Sequence, residues 1–227
     1  MNTLGKFIVR ITYLISGLSL FSIGIVLTIQ ANIGYAPWEV FHVGLAHTAG
    51  LSIGVASIIA GVLIAAIVTL TGEKLGLGTV LSMFLTGAQI DLIMALNFIH
   101  AANGLPVGIP MLIGGLFVVS LGTYFYIKSA FGVGPRDNLM VVLSRRTKLP
   151  VGVCRSVVEL LVTIIGWRLG GMVGIGTIIS VITIGFCVQA VFTVFRFKPT
   201  SVQHETLGQT YRALVGIWCG KNDCSSD

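Results

Sequence analysis

Displaced by 98 residues, this chain lies on itself: residues 17–91 align with residues 115–189 without a gap. Gly17, Gly24, Gly34, Gly54, Gly76, Gly78 and Gly87 fall on Gly115, Gly122, Gly132, Gly152, Gly174, Gly176 and Gly185. Pro37 falls on Pro135 and Thr79 on Thr177. Apolar composition raises chance identity, but it does not bring seven glycines and a proline into one register. Each copy carries three apolar runs long enough to cross a bilayer. An odd number of spans forces the second copy into the membrane upside down relative to the first, an arrangement frequent among transporters.

The spans follow from length and charge. The chain is 55% hydrophobic and only 10% charged, whereas about a quarter of residues in soluble domains carry charge. Six runs approach the roughly 20 helical residues a bilayer demands: Phe7–Gln30, Leu51–Thr71, Thr79–Asn97, Pro110–Tyr126, Val151–Trp167 and Gly176–Phe195. Lipid satisfies no backbone polar group, so an all-α integral membrane protein is expected. The expected organisation is a first three-helix repeat over 1–97, an extracytoplasmic linker over 98–109, a second repeat over 110–195 and a tail over 196–227. The net charge of +6 reports orientation rather than a nucleic-acid groove. Lys6, Arg10 and Lys74 fall on one set of loops and termini, with Lys128, Arg136, Arg145, Arg146, Lys148, Arg196 and Lys198. The opposite loops, 31–50 and 98–109, hold no Lys or Arg, and the last holds only Arg168. The positive-inside rule then places both termini in the cytoplasm. The basic side meets anionic headgroups.

The first run recurs at the fourth, which assigns it to the fold rather than to a cleaved signal. Cys154 and Cys187 fall inside spans and behave as small apolar groups. Cys219 and Cys224, with His204 upstream, fall short of the four ligands of a structural zinc site. Neither a metal nor a cofactor is expected. Gly72 with Gly76 and Gly166 with Gly170 have spacing that permits close helix contact. The G-x-G pairs at 76–78 and 174–176 read as tight turns, not phosphate loops, because no strand precedes them.

The informative local feature follows the first span of each copy. Gly34-Tyr35-Ala36-Pro37-Trp38-Glu39 and Gly132-Val133-Gly134-Pro135-Arg136-Asp137 share the pattern G-x-[AG]-P-x-[ED]. Glycine ends a helix in a left-handed turn. Proline suits the first position of the next helix, and an acid two residues later meets its dipole. Each motif predicts a broken helix followed by a short one, over about 36–48 and 135–146. Two readings stay open. The short helices lie at the interface, with Glu39 and Asp137 as caps and Trp38 in the headgroup belt. Alternatively they are re-entrant, and their N-termini face a polar or anionic solute.

The segments ANIGYAPWEVFHVGL and FGVGPRDNLMVVLSRRTKLPVG resemble the paired G-x-x-P-W-[DE] and G-x-G-P-R-D signatures of the YczE/YyaS/YitT family, small bacterial integral membrane proteins. The resemblance spans roughly residues 10–195. Glu39 stands where aspartate is expected, which keeps the charge. It implies a multi-pass protein of the bacterial inner membrane carrying this repeat, and it implies no particular substrate or reaction.

Charge within the spans supplies the other candidates. Glu159 falls near the centre of the fifth run, where a charge is costly, and Arg155 precedes it by one turn on the same face. Their repeat equivalents, Gly61 and Ser57, are uncharged, so this pair distinguishes the second copy. It is either a structural ion pair or a titrating or anion-binding site. Asp91, whose equivalent is Gln189, is either hydrated near the surface or lines a polar cavity. The histidines show no metal-binding spacing, and no nucleophile stands beside a base, so an enzyme is not expected. The sequence therefore points to six transmembrane helices as two inverted three-helix repeats that move or bind a small polar or ionic solute, with a homodimer expected. The path would include Gly34, Pro37, Trp38, Glu39, Gly132, Gly134, Pro135, Arg136, Asp137, Asp91, Arg155 and Glu159. The alternative is an accessory or regulatory membrane protein whose basic loop, residues 136–148, docks a cytoplasmic partner.

Overall fold

The computed structural model describes residues 3–72, 76–132, 134–149 and 151–197. The tail from 198 onward, with His204, Cys219 and Cys224, lies outside the described residues, as does Lys74. Among the described residues eight helices form, in the order α1 (Thr3–Gln30), α2 (Pro37–Ala49), α3 (Ile53–Leu70), α4 (Leu77–Leu96), α5 (Leu105–Lys128), α6 (Pro135–Thr147), α7 (Val151–Arg168) and α8 (Ile175–Val194). No strand occurs among the described residues.

The 98-residue displacement governs the backbone. Both ends of α2, α3 and α4 map onto the ends of α6, α7 and α8, and the end of α1 maps onto that of α5. Left-handed residues recur in step too: Asn32 with Ala130, Gly34 with Gly132, Gly50 with Lys148 and Gly72 with Gly170. One edge differs from the sequence expectation. The helix of the fourth run starts at Leu105, five residues before Pro110, because Gly104 turns the chain at φ 83° and Pro106 suits a first turn. Pro110 then sits inside α5.

Helices α1 and α5 form the central pair. A Cβ on Gly17 would meet the backbone at Gly122, and one on Gly24 would meet the backbone at Gly115. Residue numbers rise on one helix as they fall on the other, so the two run antiparallel. Small residues substitute here for the hydrophobic driving force that lipid cannot supply, since close backbones gain dispersion contacts. Around this axis α4 packs on α1 and α8 packs on α5, while α2 crosses α7 and α6 crosses α3.

Among the described residues five helices are long and apolar enough to cross a membrane: α1 over Phe7–Gln30, α3, α4, α5 and α8. Helix α7 equals α3 in length at 18 residues. It carries Arg155, Glu159 and Arg168, however, and is the least apolar of the long helices. This is a membrane protein whose described elements are all helices, with apolar side chains such as Leu63, Leu70, Leu160, Ile182 and Phe186 turned outward.

The largest difference between the two copies lies in one contact. Helices α3 and α4 pack along their length, whereas α7 and α8, though joined by a short turn, hardly touch.

Candidate functional site

The two breaks are built alike. Gly34 and Gly132 hold φ values of 115° and 132°, which a side chain would oppose. Ala36 and Gly134 are extended, and Pro37 and Pro135 open α2 and α6, where a missing N–H breaks no hydrogen bond. Glu39 lies in the first turn of α2, where free N–H groups favour a carboxylate. Asp137 lies in the first turn of α6, and its side chain lies outside the described residues.

Each break docks on the other copy. Gly176 N–H donates to the Ile33 carbonyl at 2.8 Å, and Gly78 N–H donates to the Phe131 carbonyl at 2.8 Å. A Cβ on Gly34 would lie 2.6 Å from Gly174 N, and one on Gly132 would lie 2.9 Å from Gly76 Cα. The G-x-G pairs at 76–78 and 174–176 are thus the seats that receive the breaks. Glycine is required on both sides because backbone meets backbone.

Arg136 carries the second break to the first. Its guanidinium lies over the Trp38 ring, 4.7 Å from the centroid. One nitrogen points at His42 Nε2 at 3.2 Å, and another lies 3.8 Å from Glu39 Oε1. A buried carboxylate and a buried imidazole on α2 are thereby held by a cation from α6. Sequence reasoning missed His42. Its place one turn after Trp38 on the face that also carries Glu39 was the available signal.

Beneath the first break lies a cavity of about 90 Å³. The N-terminus of α2 contributes Pro37, Trp38 and Glu39, α7 contributes Arg155 and Glu159, and α8 contributes Ser180. Thr28 and mostly apolar side chains of α1, α5 and α8 close the rest. Arg155 Nε donates to Glu159 Oε1 at 2.8 Å, with the arginine side chain 52% exposed and the glutamate 15%. The single turn between them on one helix makes this pairing geometrically easy. Ser180 is buried at 1% exposure, and its Oγ meets no hydrogen-bond partner among the described residues. Its repeat equivalent, Ser82, donates to the Thr79 carbonyl at 2.8 Å. Sequence reasoning also missed Ser180, because a serine on an apolar helix looks the same whether it bonds its own backbone or not.

The path residues thus divide. Pro37, Trp38, Glu39, Arg155 and Glu159 share the cavity, and Arg136 reaches Glu39 from α6. Gly34, Gly132, Gly134 and Pro135 shape the backbone. Asp91 is elsewhere: its carboxylate accepts from Ser52 Oγ at 2.5 Å and from Gly54 N–H at 2.8 Å, tying α4 to the start of α3. Among the described residues, no group of three or more His, Cys, Asp or Glu side chains gathers to hold a metal.

Residues 8–193 match a family of unknown function, DUF6198. The chain is 33% identical over 202 residues to the uncharacterized membrane protein YczE of Bacillus subtilis, covering 87% of this chain and 89% of that protein. An uncharacterized protein of Haemophilus influenzae is 30% identical over 83% of this chain and 86% of its own length. The uncharacterized protein YyaS of Bacillus subtilis is 32% identical over 73% and 83%. No solved structure matches.

Proposed function

This chain belongs to the YczE/YyaS family, DUF6198, and we propose that it is a transporter of a small polar or ionic solute. The observation that carries the reading is the cavity of about 90 Å³ where a broken helix from one copy meets the charged pair Arg155–Glu159 of the other. Charge inside a membrane bundle is expensive and is retained where it serves a path or a site. Helix breaks at membrane depth are tolerated where they are covered by protein or line a cavity.

Three further features support it. Helix α7 acts as a sixth span, its length matching α3 and its central charges meeting each other. The copies lie inverted about the antiparallel α1–α5 pair, so that α3 and α7 cross the membrane in opposite senses. With both termini cytoplasmic, the Asp91–Ser52 contact then closes the outer side between α3 and α4. The loosely joined α7 and α8 open the cavity toward the cytoplasm. An inverted repeat with one half shut and the other open is poised to exchange the two arrangements, which is alternating access.

Two measurements on the full chain test this. In a background without native cysteines, His47→Cys labels from outside intact cells with a membrane-impermeant thiol reagent, and Thr147→Cys labels only after lysis. Labelling of both from one side sinks the inverted arrangement. In proteoliposomes offered methylammonium, acetate and glycerol in turn, one of the three moves, and Glu159→Gln stops it without loss of folded protein. If none moves, and Arg145→Glu with Arg146→Glu abolishes co-purification of a cytoplasmic protein, the docking role of the basic loop replaces transport.

A further inference from the structure

We infer that the cavity beneath the first break takes a small organic cation bearing N–H groups, a protonated amine in chemical class, held by Glu39, Glu159 and the Ser180 hydroxyl. The inference deepens the transport reading by naming the class of solute for the same site, but binding can be measured whether or not transport follows.

Charge comes first. The ionisable side chains lining the cavity are Glu39, Glu159 and Arg155, and Arg136 pairs with Glu39 from outside that lining. That ion pair is long, 3.8 Å against the roughly 2.7–2.9 Å of a charge-assisted hydrogen bond, so Glu39 keeps lone pairs for a second donor. The Arg136 guanidinium is stacked on Trp38 and directed at His42. Arg155 reaches Glu159 through Nε while half exposed. An exposed arginine held in this way exchanges readily with water or another cation. Glu159 is the more buried partner. A cation arriving in the cavity therefore replaces Arg155 at Glu159 while the arginine swings outward, and the buried carboxylate is paired before and after.

Hydrogen bonding narrows the class. Serines in apolar helices commonly bond back to their own backbone, as Ser22 does to Leu18 and Ser120 to Leu116. Ser180 Oγ has no partner among the described residues despite full burial. A buried hydroxyl left unpaired is unfavourable, and here it offers its lone pairs to a donor in the cavity. A protonated amine supplies several N–H donors, whereas a quaternary ammonium supplies none.

The walls fix the remainder of the ligand. Phe21, Ile25, Leu116 and Val119 present hydrocarbon, a poor match to a bare inorganic ion and a good one to a short alkyl chain. About 90 Å³ admits a ligand the size of several water molecules, each of which takes roughly 30 Å³ of the liquid.

The test uses the full chain in lipid nanodiscs and isothermal calorimetry with n-propylammonium, tetramethylammonium and acetate. Propylammonium binds, tetramethylammonium binds at least about tenfold more weakly because it has no N–H for Ser180 and the carboxylates, and acetate does not bind. Glu159→Gln removes propylammonium binding, while Arg155→Gln tightens it severalfold by deleting the internal competitor. The sign of the Arg155→Gln effect decides between charges, since at an anion site the same substitution abolishes binding. A preference for acetate, a loss on Arg155→Gln in folded protein, or no propylammonium binding by the wild-type chain overturns the inference. Propylammonium bound but never moved across a proteoliposome overturns transport and leaves the cation site. Acetate or glycerol moved without propylammonium binding does the reverse.

Discussion

The pairs α3–α4 and α7–α8 occupy equivalent positions in the two copies, yet the first pair is closed and the second parted. The difference is written in four residues at the crossings with the short helices. Where α2 crosses α7, the facing residues are Gly44 and Gly166, and a Cβ on Gly166 would lie 2.5 Å from the Phe41 backbone. Where α6 crosses α3, the equivalents are Val142 and Val68, both buried in a cluster with Trp38 and Met140. Glycine lets backbones touch and valine holds them apart. Helix α7 is drawn onto α2 and away from α8, while α3 stands off α6 and rests on α4. One fold thus holds two packings of the same unit, and the parted pair is the one that bears Arg155 and Glu159.

The strongest way to break that contrast is Gly166→Val. The atoms that a side chain would meet are backbone of Val40 and Phe41, which cannot yield as a flexible side chain can. Overpacking of this kind costs about 3 kcal/mol or more, and thermal unfolding in detergent should show a large loss of stability or of folded yield. An unchanged melting temperature would mean that the α2–α7 crossing is looser than its glycines imply.

A matched pair of substitutions sharpens the comparison at smaller amplitude. Gly87 on α4 faces Ile58 and the Gly54 carbonyl, 2.5 Å and 2.6 Å from where a Cβ would stand. Its equivalent, Gly185 on α8, has nothing within 4 Å. Gly87→Ala should destabilise by about 1–3 kcal/mol, and Gly185→Ala should stay within about 0.5 kcal/mol of wild type. Equal losses in the two variants would show that α7 and α8 pack as closely as α3 and α4.

Much of this was legible from residue order, and the limits are physical. The breaks follow from local chemistry, since a glycine that must take positive φ and a proline that must open a helix dictate backbone conformation wherever they occur. Glycine register foretold that equivalent elements would share boundaries. Partnership across the bundle was not local and did not show. Nothing in the sequence places Arg136 on Trp38 and His42, because the two breaks are 98 residues apart and meet only when the bundle assembles. Span counting met a similar limit at α7: the sequence counts six spans, whereas five described helices are long and apolar enough to cross a membrane and α7 is not among them. Arg155 and Glu159 lower its apolar character below that of the other five helices, and only their 2.8 Å contact shows how those charges offset each other. Asp91 illustrates a third limit: a lone acid near the end of an apolar helix reads as hydrated near the surface or lining a polar cavity, and its contacts with Ser52 and Gly54 make it a cap instead.

That cap supplies the mildest test. The Asp91 carboxylate accepts from Ser52 Oγ and from Gly54 N–H, one of the first-turn donors of α3 that the helix itself leaves unpaired. Its equivalent Gln189 is exposed and bonds Thr193 on its own helix, at 3.3 Å. Asp91→Ala removes two hydrogen bonds between helices and leaves a first-turn N–H without its acceptor, a cost of about 1–2 kcal/mol. Gln189→Ala removes one solvent-facing contact within a helix, so its effect should lie within about 0.5 kcal/mol. In the alternating-access reading the same lesion has a second signature, because α3 and α4 lose a tie on the side opposite the parted pair. Cysteines replacing Gly61 and Met83, whose Cβ positions lie 3.4 Å apart, should cross-link readily in the wild-type background and more slowly once Asp91 is alanine. A slower rate accompanied by faster labelling of a cysteine at Ser57 from outside the cell would mark the outer pair as the gate that opens. An unchanged rate would reduce Asp91 to a helix cap with no part in gating.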